Sequence, residues 1–109
     1  MTGPRVAILG SGSIGVAFAV LFGASGARVR VWDPVPEARE RAAAELRARL
    51  ELLHGSGLTA EDPGAVLGRV DFLDDAAEAV AGAALVQECA PERLELKREL
   101  FAAISEAVS

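Results

Sequence analysis

The feature that most constrains this chain is a short apolar run that ends in a glycine motif. Residues 6–15 read V-A-I-L-G-S-G-S-I-G, so that V-A-I-L leads directly into G-x-G-x-x-G. The run has the length and composition of a buried strand, and residues 13–24 have the composition of a helix. A strand, a glycine turn and a helix in that order predict the first half of a βαβ unit.

Each glycine of the motif has a distinct predicted role at an anion-binding turn. Gly10 suits the tight turn, Gly12 lets a pyrophosphate approach the backbone, and Gly15 permits close packing of the helix on the strand. The first N–H groups of the helix lack partners, and the helix dipole adds partial positive charge there. The motif therefore predicts binding of an anionic dinucleotide; the alternative is that the glycines serve the fold alone.

An acidic residue follows the second predicted strand, which spans residues 28–32 and reads R-V-R-V-W. This residue, Asp33, lies 18 positions after Gly15, where an acid accepts hydrogen bonds from the adenine ribose and repels a 2′-phosphate. The nearest downstream arginine, Arg39, is expected inside the next helix, so no cation is expected at the strand end. The pattern favours NAD over NADP. In the alternative interpretation, Asp33 only caps the helix that follows Pro34.

The rest of the chain alternates strands with helices, which predicts a parallel α/β sheet with right-handed crossovers. Strands are predicted at 6–9, 28–32, 70–73 and 84–88, and helices at 13–24, 36–54, 60–67, 74–81 and 91–108. The first helix has an apolar stripe of Ile14, Phe18, Leu21 and Phe22. The long segment between strands 2 and 3 predicts a helical pair that protrudes. The expected strand order, 3-2-1-4, gives a Rossmann-type doubly wound parallel sheet, truncated after strand 4 and its helix.

Composition and charge disfavour several classes of function. The 109 residues carry a net charge of −5 and no basic stripe, so neither nucleic acid nor an anionic membrane is an expected partner. The sequence shows no signal peptide and no long apolar segment, and the lone Cys89 has no partner for an internal disulfide, so a cytoplasmic location is expected. Cys89 is expected to be a structural thiol and His54 a helix-terminal residue, and no metal site is predicted.

These motifs resemble the NAD-binding domain of the 3-hydroxyacyl-CoA dehydrogenase family. The stretch V-A-I-L-G-S-G-S-I-G resembles the family's glycine loop, and V-W-D resembles the end of its ribose-binding strand. Residues 85–101 are similar to the family's junction between strand 4 and the next helix. Within them, Q-E-C-A-P-E-x-L-E-L-K is most similar to the lambda-crystallin branch, whose activity is L-gulonate 3-dehydrogenase. The resemblance covers essentially the whole chain, but only the N-terminal part of the family's pattern.

The resemblance implies roles for individual residues. Ser13 and Ile14 lie where the family's loop meets the pyrophosphate, Asp33 takes the adenosine ribose, and Glu92 and Lys97 line the nicotinamide side of the cofactor. The implied reaction is hydride transfer between NAD and the alcohol of a 3-hydroxy acid or a 3-hydroxyacyl-CoA. That small molecule is the expected substrate of the full-length enzyme.

The family's catalytic histidine and substrate-positioning residues follow strand 4, as do its dimerisation segments, and this chain lacks them. Residues 1–109 are therefore expected to form an NAD-binding domain that is incomplete at its C-terminus and inactive alone. The exposed edge of strand 4 is expected to drive self-association or binding of a missing C-terminal half. Two alternatives remain at this point: a stand-alone NAD-binding or assembly module without catalysis, and an FAD-binding monooxygenase or oxidase.

Overall fold

The computed structural model describes residues 4–59 and 61–89 of the chain. Its elements, in chain order, are β1 (Arg5–Leu9), α1 (Ser13–Ala24), β2 (Arg28–Trp32), α2 (Pro36–Gly55), α3 (Pro63–Leu67), β3 (Val70–Leu73), α4 (Ala76–Val80) and β4 (Leu85–Glu88). The helix predicted at 91–108 lies outside the described residues.

The four strands form one parallel sheet in the order β3-β2-β1-β4. The central strand is β1, in which Val6 pairs with Val29 of β2 on one side and with Leu85 of β4 on the other. The order and the parallel direction confirm the predicted doubly wound sheet. Because all four strands run the same way, their carboxyl ends share one edge, where open α/β sheets bind ligands.

The central strand separates two apolar cores, because alternate side chains of a strand point to opposite faces. Val6 and Ile8 pack with residues of α1, α2 and α3 on one face, whereas Ala7 and Leu9 pack with Trp32 and α4 on the other. None of these four β1 residues is more than 4% exposed. A strand covered on both faces has no need of polar alternation, which explains the unbroken run V-A-I-L.

Helix α1 turns a face of small residues inward, so the predicted apolar stripe is correct as a packing face for Phe18 and Phe22 and wrong for Ile14 and Leu21. Its buried residues are Gly15, Val16, Ala19 and Gly23, and Phe18 and Phe22 are partly buried. Ile14 and Leu21 are instead 66% and 58% exposed. The cause is close approach: a Cβ on Gly15 would lie 2.0 Å from the carbonyl oxygen of Gly10. A helix this near its neighbours has no room for large side chains on its inner face.

Two helices fill the connection between β2 and β3, as the sequence predicts, but their buried residues lie in the core and not in a pair that protrudes from it. Helices α2 and α3 pack on the same core, to which they contribute the fully buried Leu46, Leu50 and Val66. Both begin with a proline in the first turn, where its missing N–H leaves no hydrogen bond unmade. Helix α3 starts at Pro63, later than predicted, because Asp62 is its N-cap residue.

Candidate cofactor-binding site

The glycine loop lies at the carboxyl end of β1, on the edge of the sheet where ligands are expected. Gly10 has a φ of 121°, in the region that favours glycine, and its N–H donates to the Trp32 carbonyl at 2.8 Å. Gly10 thus extends the pairing with β2 while it turns the chain toward α1. Gly15 approaches the strand as predicted, since a Cβ built on it would lie 3.5 Å from Ile8 Cγ2 of β1, and it approaches the Gly10 carbonyl, at the point where the chain turns, more closely still.

Helix α1 begins at this loop without a capping side chain. Its N-cap residue is Gly12, and its first turn contains no acidic residue. The first N–H groups of a helix have no partner within it, and the dipole places partial positive charge at this end. A Cβ built on Gly12 would meet no atom within 4 Å, so open space lies before the backbone. Ser13 and Ile14 are both exposed beside that space, which suits an anionic group with an apolar neighbour.

The carboxylate of Asp33 is tied to the glycine loop and to its own turn. Its Oδ2 accepts hydrogen bonds from Ser11 Oγ at 2.7 Å and from Ser11 N at 3.2 Å. Its Oδ1 accepts a hydrogen bond from Val35 N at 2.9 Å. The structure therefore brings together the two predicted halves of the site, the loop and the acid. The capping alternative holds only in part, since Asp33 supports the turn but the N-cap residue of α2 is Val35.

Sequence reasoning missed Ser11, which stands at a variable position of the G-x-G motif. Ser11 is only 2% exposed. Among the residues that the structure describes, it is the one polar residue that is buried. A hydroxyl between two glycines, with an acid expected at the neighbouring strand end, was the available signal. The contact itself depends on the pairing of β1 with β2, which places both carboxyl ends side by side.

The expectation that no cation stands at the end of β2 is wrong. Arg39 Nη1 donates to the backbone carbonyl of Asp33 at 2.7 Å. Because α2 begins only three residues after Asp33, an arginine in its first turn folds back over the strand end. The presence of Arg39 removes one of the two grounds on which the sequence favours NAD over NADP, and leaves the Asp33 carboxylate as the other.

A second arginine, Arg49 of α2, reaches the glycine loop. Its Nη2 donates to Ser13 Oγ at 3.0 Å and its Nη1 to the Ser13 carbonyl at 3.3 Å. Glu45 holds the same guanidinium at 2.5 Å. Since Ser13 Oγ accepts from Arg49, the hydroxyl proton remains available to donate elsewhere. This contact brings positive charge to the first residue of α1.

The other residues considered in the sequence lie away from the loop or outside the described ranges. Glu92 and Lys97 fall outside the described residues. His54 is exposed in the last turn of α2. Cys89 is half-buried against the core that α1 covers, and burial raises the pKa of its thiol, to which the charge of Glu88 adds. A thiol with a raised pKa stays protonated at neutral pH, which fits a structural role.

A cavity of about 250 Å³ lies at the opposite edge of the sheet, lined in part by Arg5, Arg28 and Arg69. Arg5 and Arg28 are the first residues of their strands, so this cavity is separate from the glycine loop. Within residues 4–59 and 61–89, no cluster of His, Cys, Asp or Glu is arranged to hold a metal ion. No helix in those ranges has the length and apolarity needed to cross a membrane.

Comparison with known proteins gives matches along almost the whole chain. The family model described as "3-hydroxyacyl-CoA dehydrogenase, NAD binding domain" matches residues 5–109. The chain is 44% identical over 99 residues to a lambda-crystallin homolog of Bos taurus, covering 89% of this chain and 31% of that protein. It is 40% identical over 111 residues to an L-carnitine dehydrogenase of Streptomyces coelicolor, covering 98% of this chain and 34% of that protein.

Solved structures agree with the sequence matches. The 3-hydroxybutyryl-CoA dehydrogenase of Escherichia coli K12 superposes with a TM-score of 0.83 at 37% identity, over 98% of this chain and 23% of that one. The chain thus spans about a third of the length of the curated relatives it matches.

Proposed function

This chain belongs to the 3-hydroxyacyl-CoA dehydrogenase family, as its NAD-binding domain, and on that premise we propose that the glycine loop and Asp33 together hold NAD. The observation that carries the proposal is the uncapped start of α1, which opens onto free space beside a carboxylate tied to the same loop. The matches to lambda-crystallin and L-carnitine dehydrogenase relatives confirm the branch that the strand-4 junction resembles.

The pyrophosphate of the cofactor is proposed to lie against the loop. Gly10 and Gly12 keep the backbone free of side chains there, and the N–H groups at Ser13 and Ile14 are available to an anion. Gly15 contributes indirectly. Because it has no Cβ, α1 can approach the loop closely. The Ser13 hydroxyl and the guanidinium of Arg49 that contacts it add a donor and positive charge on the same side.

The adenine ribose is proposed to lie at Asp33. A carboxylate at the end of the second strand accepts hydrogen bonds from ribose hydroxyls and repels a 2′-phosphate. Arg39 is held by the backbone carbonyl of the same residue, so its charge moderates this repulsion without replacing the carboxylate. NAD is the favoured cofactor on these grounds.

The nicotinamide side and the chemistry complete the proposal. Glu92 and Lys97 are proposed to line the nicotinamide, on the strength of the family resemblance. The cofactor carries the hydride, which passes between it and the alcohol of a 3-hydroxy acid or 3-hydroxyacyl-CoA. Residues 1–109 are proposed to be the NAD-binding part of such an enzyme, cytoplasmic and inactive alone, with the catalytic base and the dimer contacts supplied by other segments.

Asp33→Ala tests the assignment. Calorimetric titration of the unaltered chain should show tighter binding of NADH than of NADPH. In the variant, NADH should bind ~10-fold or more weakly, because hydrogen bonds to a charged group contribute about 1.5–3 kcal/mol. The gap between the two cofactors should narrow, since Arg39 then meets the 2′-phosphate alone. The matched control is Asp62→Ala, which removes an acid whose side chain makes no cap hydrogen bond. Equal affinities of the unaltered chain for both cofactors would contradict the proposal.

A further inference from the structure

The carboxylate of Asp33 already has most of its hydrogen-bonding capacity in use. An ionised carboxylate offers about four acceptor directions, two on each oxygen. Ser11 N and Ser11 Oγ both donate to Oδ2, and Val35 N donates to Oδ1. The direction that remains is therefore on Oδ1. How the carboxylate is turned decides where that last acceptor points.

Ser11 is the residue that sets this orientation. Its hydroxyl has one proton to donate, and that proton is committed to Asp33 Oδ2 at 2.7 Å. The side chain is buried, so water does not compete freely for the bond. Its backbone is fixed as well, since the preceding Gly10 is hydrogen-bonded to Trp32. The hydroxyl thus holds Asp33 from a rigid part of the loop, before any ligand arrives.

We propose that Ser11 is a positioning residue for cofactor recognition, which turns the free acceptor of Asp33 Oδ1 toward a ribose hydroxyl. The inference rests on the proposed function and goes beyond it, because Ser11 acts only through Asp33. A site held in its bound geometry loses less conformational entropy when the ligand binds. A hydroxyl that merely fastened the loop would stabilise the fold and leave recognition of the ribose unchanged.

The experiment is a double-mutant cycle on the 109-residue chain, read by calorimetric titration with NADH. Ser11→Ala should weaken NADH ~10-fold, the effect of about 1.4 kcal/mol. In the Asp33→Ala background the same change should have no further effect, because the group that Ser11 positions is gone. Ser25→Ala is the matched control, since that hydroxyl donates to the Leu21 carbonyl at the far end of α1.

A second ligand separates positioning from general damage to the loop. The probe is NADH that lacks the adenosine 2′-hydroxyl. Ser11→Ala should weaken the binding of this analogue much less than it weakens the binding of NADH. Ser11→Gly keeps the backbone donor and cannot clash, so it should lose NADH affinity as Ser11→Ala does. It provides the same affinity measurement if the alanine variant fails to fold.

Two results would overturn the inference: NADH affinity that is unchanged in both Ser11 variants, or an equal loss with and without Asp33. An unaltered chain that is folded by circular dichroism and binds no NADH is a different failure. It contradicts the proposed function itself, and the inference falls with it.

Discussion

At the scale of single residues, Gly12 and Gly15 show two different needs for a missing side chain. A Cβ on Gly12 would enter open space, whereas one on Gly15 would strike the backbone of Gly10. The missing side chain at Gly12 leaves space for a ligand, whereas the missing side chain at Gly15 leaves space for the backbone of Gly10. Substitutions at the two positions should therefore fail in different experiments.

Gly12→Val should abolish NADH binding and preserve the fold. The φ of −68° at Gly12 is accessible to valine, and nothing in the described part of the chain lies near its Cβ. The branched side chain would occupy the space proposed for the pyrophosphate. Fluorescence enhancement of NADH measures binding, and circular dichroism measures the fold. Gly55→Val is the matched control, since Gly55 also faces open space but ends α2. Persistent enhancement in a folded Gly12→Val would refute the phosphate assignment.

The residue contacts of the site were the part that the sequence could not predict. The motif indicated Gly10, Gly12 and Gly15, because backbone geometry and glycine are directly linked. Nothing in the order of residues places Ser11 Oγ on Asp33, or folds Arg39 back onto the strand end. Both contacts follow from how β2 and α2 are set beside the loop, which is decided by packing.

At the scale of elements, α1 depends on the narrow contact at Gly15. Gly15→Ala should lower the free energy of unfolding by about 1–3 kcal/mol, the usual effect of overpacking a filled contact. Urea denaturation measures the loss. Gly12→Ala serves as control, because the same methyl group enters open space there. An unfolding midpoint for Gly15→Ala equal to that of Gly12→Ala would mean that the contact is readily relaxed.

A second element-level feature is the ion pair of Arg69 with Glu61, which joins the segment before α3 to the residue that precedes β3. Arg69 Nη1 also donates to the Gly23 carbonyl at 2.8 Å, so the guanidinium reaches the end of α1 as well. The hydrogen bond from Arg69 holds the pKa of Glu61 below its usual value. A depressed pKa in the folded state means that the pair stabilises the fold above the usual pKa of a glutamate and loses that effect as pH falls through the folded value.

Glu61→Gln should therefore lower the melting temperature slightly at pH 7, and this deficit should shrink as the pH falls through the lowered pKa of Glu61. The effect is small because both side chains are partly exposed and solvent screens the pair. Glu51→Gln, on the exposed face of α2, controls for the loss of one negative charge. A deficit in Glu61→Gln that persists undiminished at low pH would show that the residue acts by packing.

Element boundaries followed the sequence closely where local chemistry decides them. Helix α1 and strands β2 and β3 have the predicted limits. The inner face of α1 did not follow, because hydrophobic periodicity ranks Ile14 and Leu21 above glycine. Where the helix approaches the loop closely, glycine is favoured over a large apolar residue on the inner face. That close approach is evident only once the loop and the helix are placed together in the structure.

At the scale of the whole molecule, β4 is the outer strand of the described sheet, with β1 as its partner there. Leu85 and Val86 are 43% and 38% exposed on it. An apolar strand edge of this kind templates pairing with another chain, so we expect the 109-residue protein to self-associate. Sedimentation should show oligomers that grow with concentration, and Val86→Lys should reduce them. A monomer at high concentration in the unaltered protein would contradict the expectation.

The position of β1 has a consequence for synthesis. This strand leaves the ribosome first among the described elements, yet it is paired on both sides, and its second partner, β4, ends at Glu88. Until β4 has been synthesised, the backbone of β1 cannot form its hydrogen bonds with that strand. Pairing between strands so far apart in sequence also forms slowly. Until residue 88 has been synthesised, the emerging chain therefore carries an apolar strand with one unpaired edge, and such transiently exposed edges make a folding chain prone to aggregate.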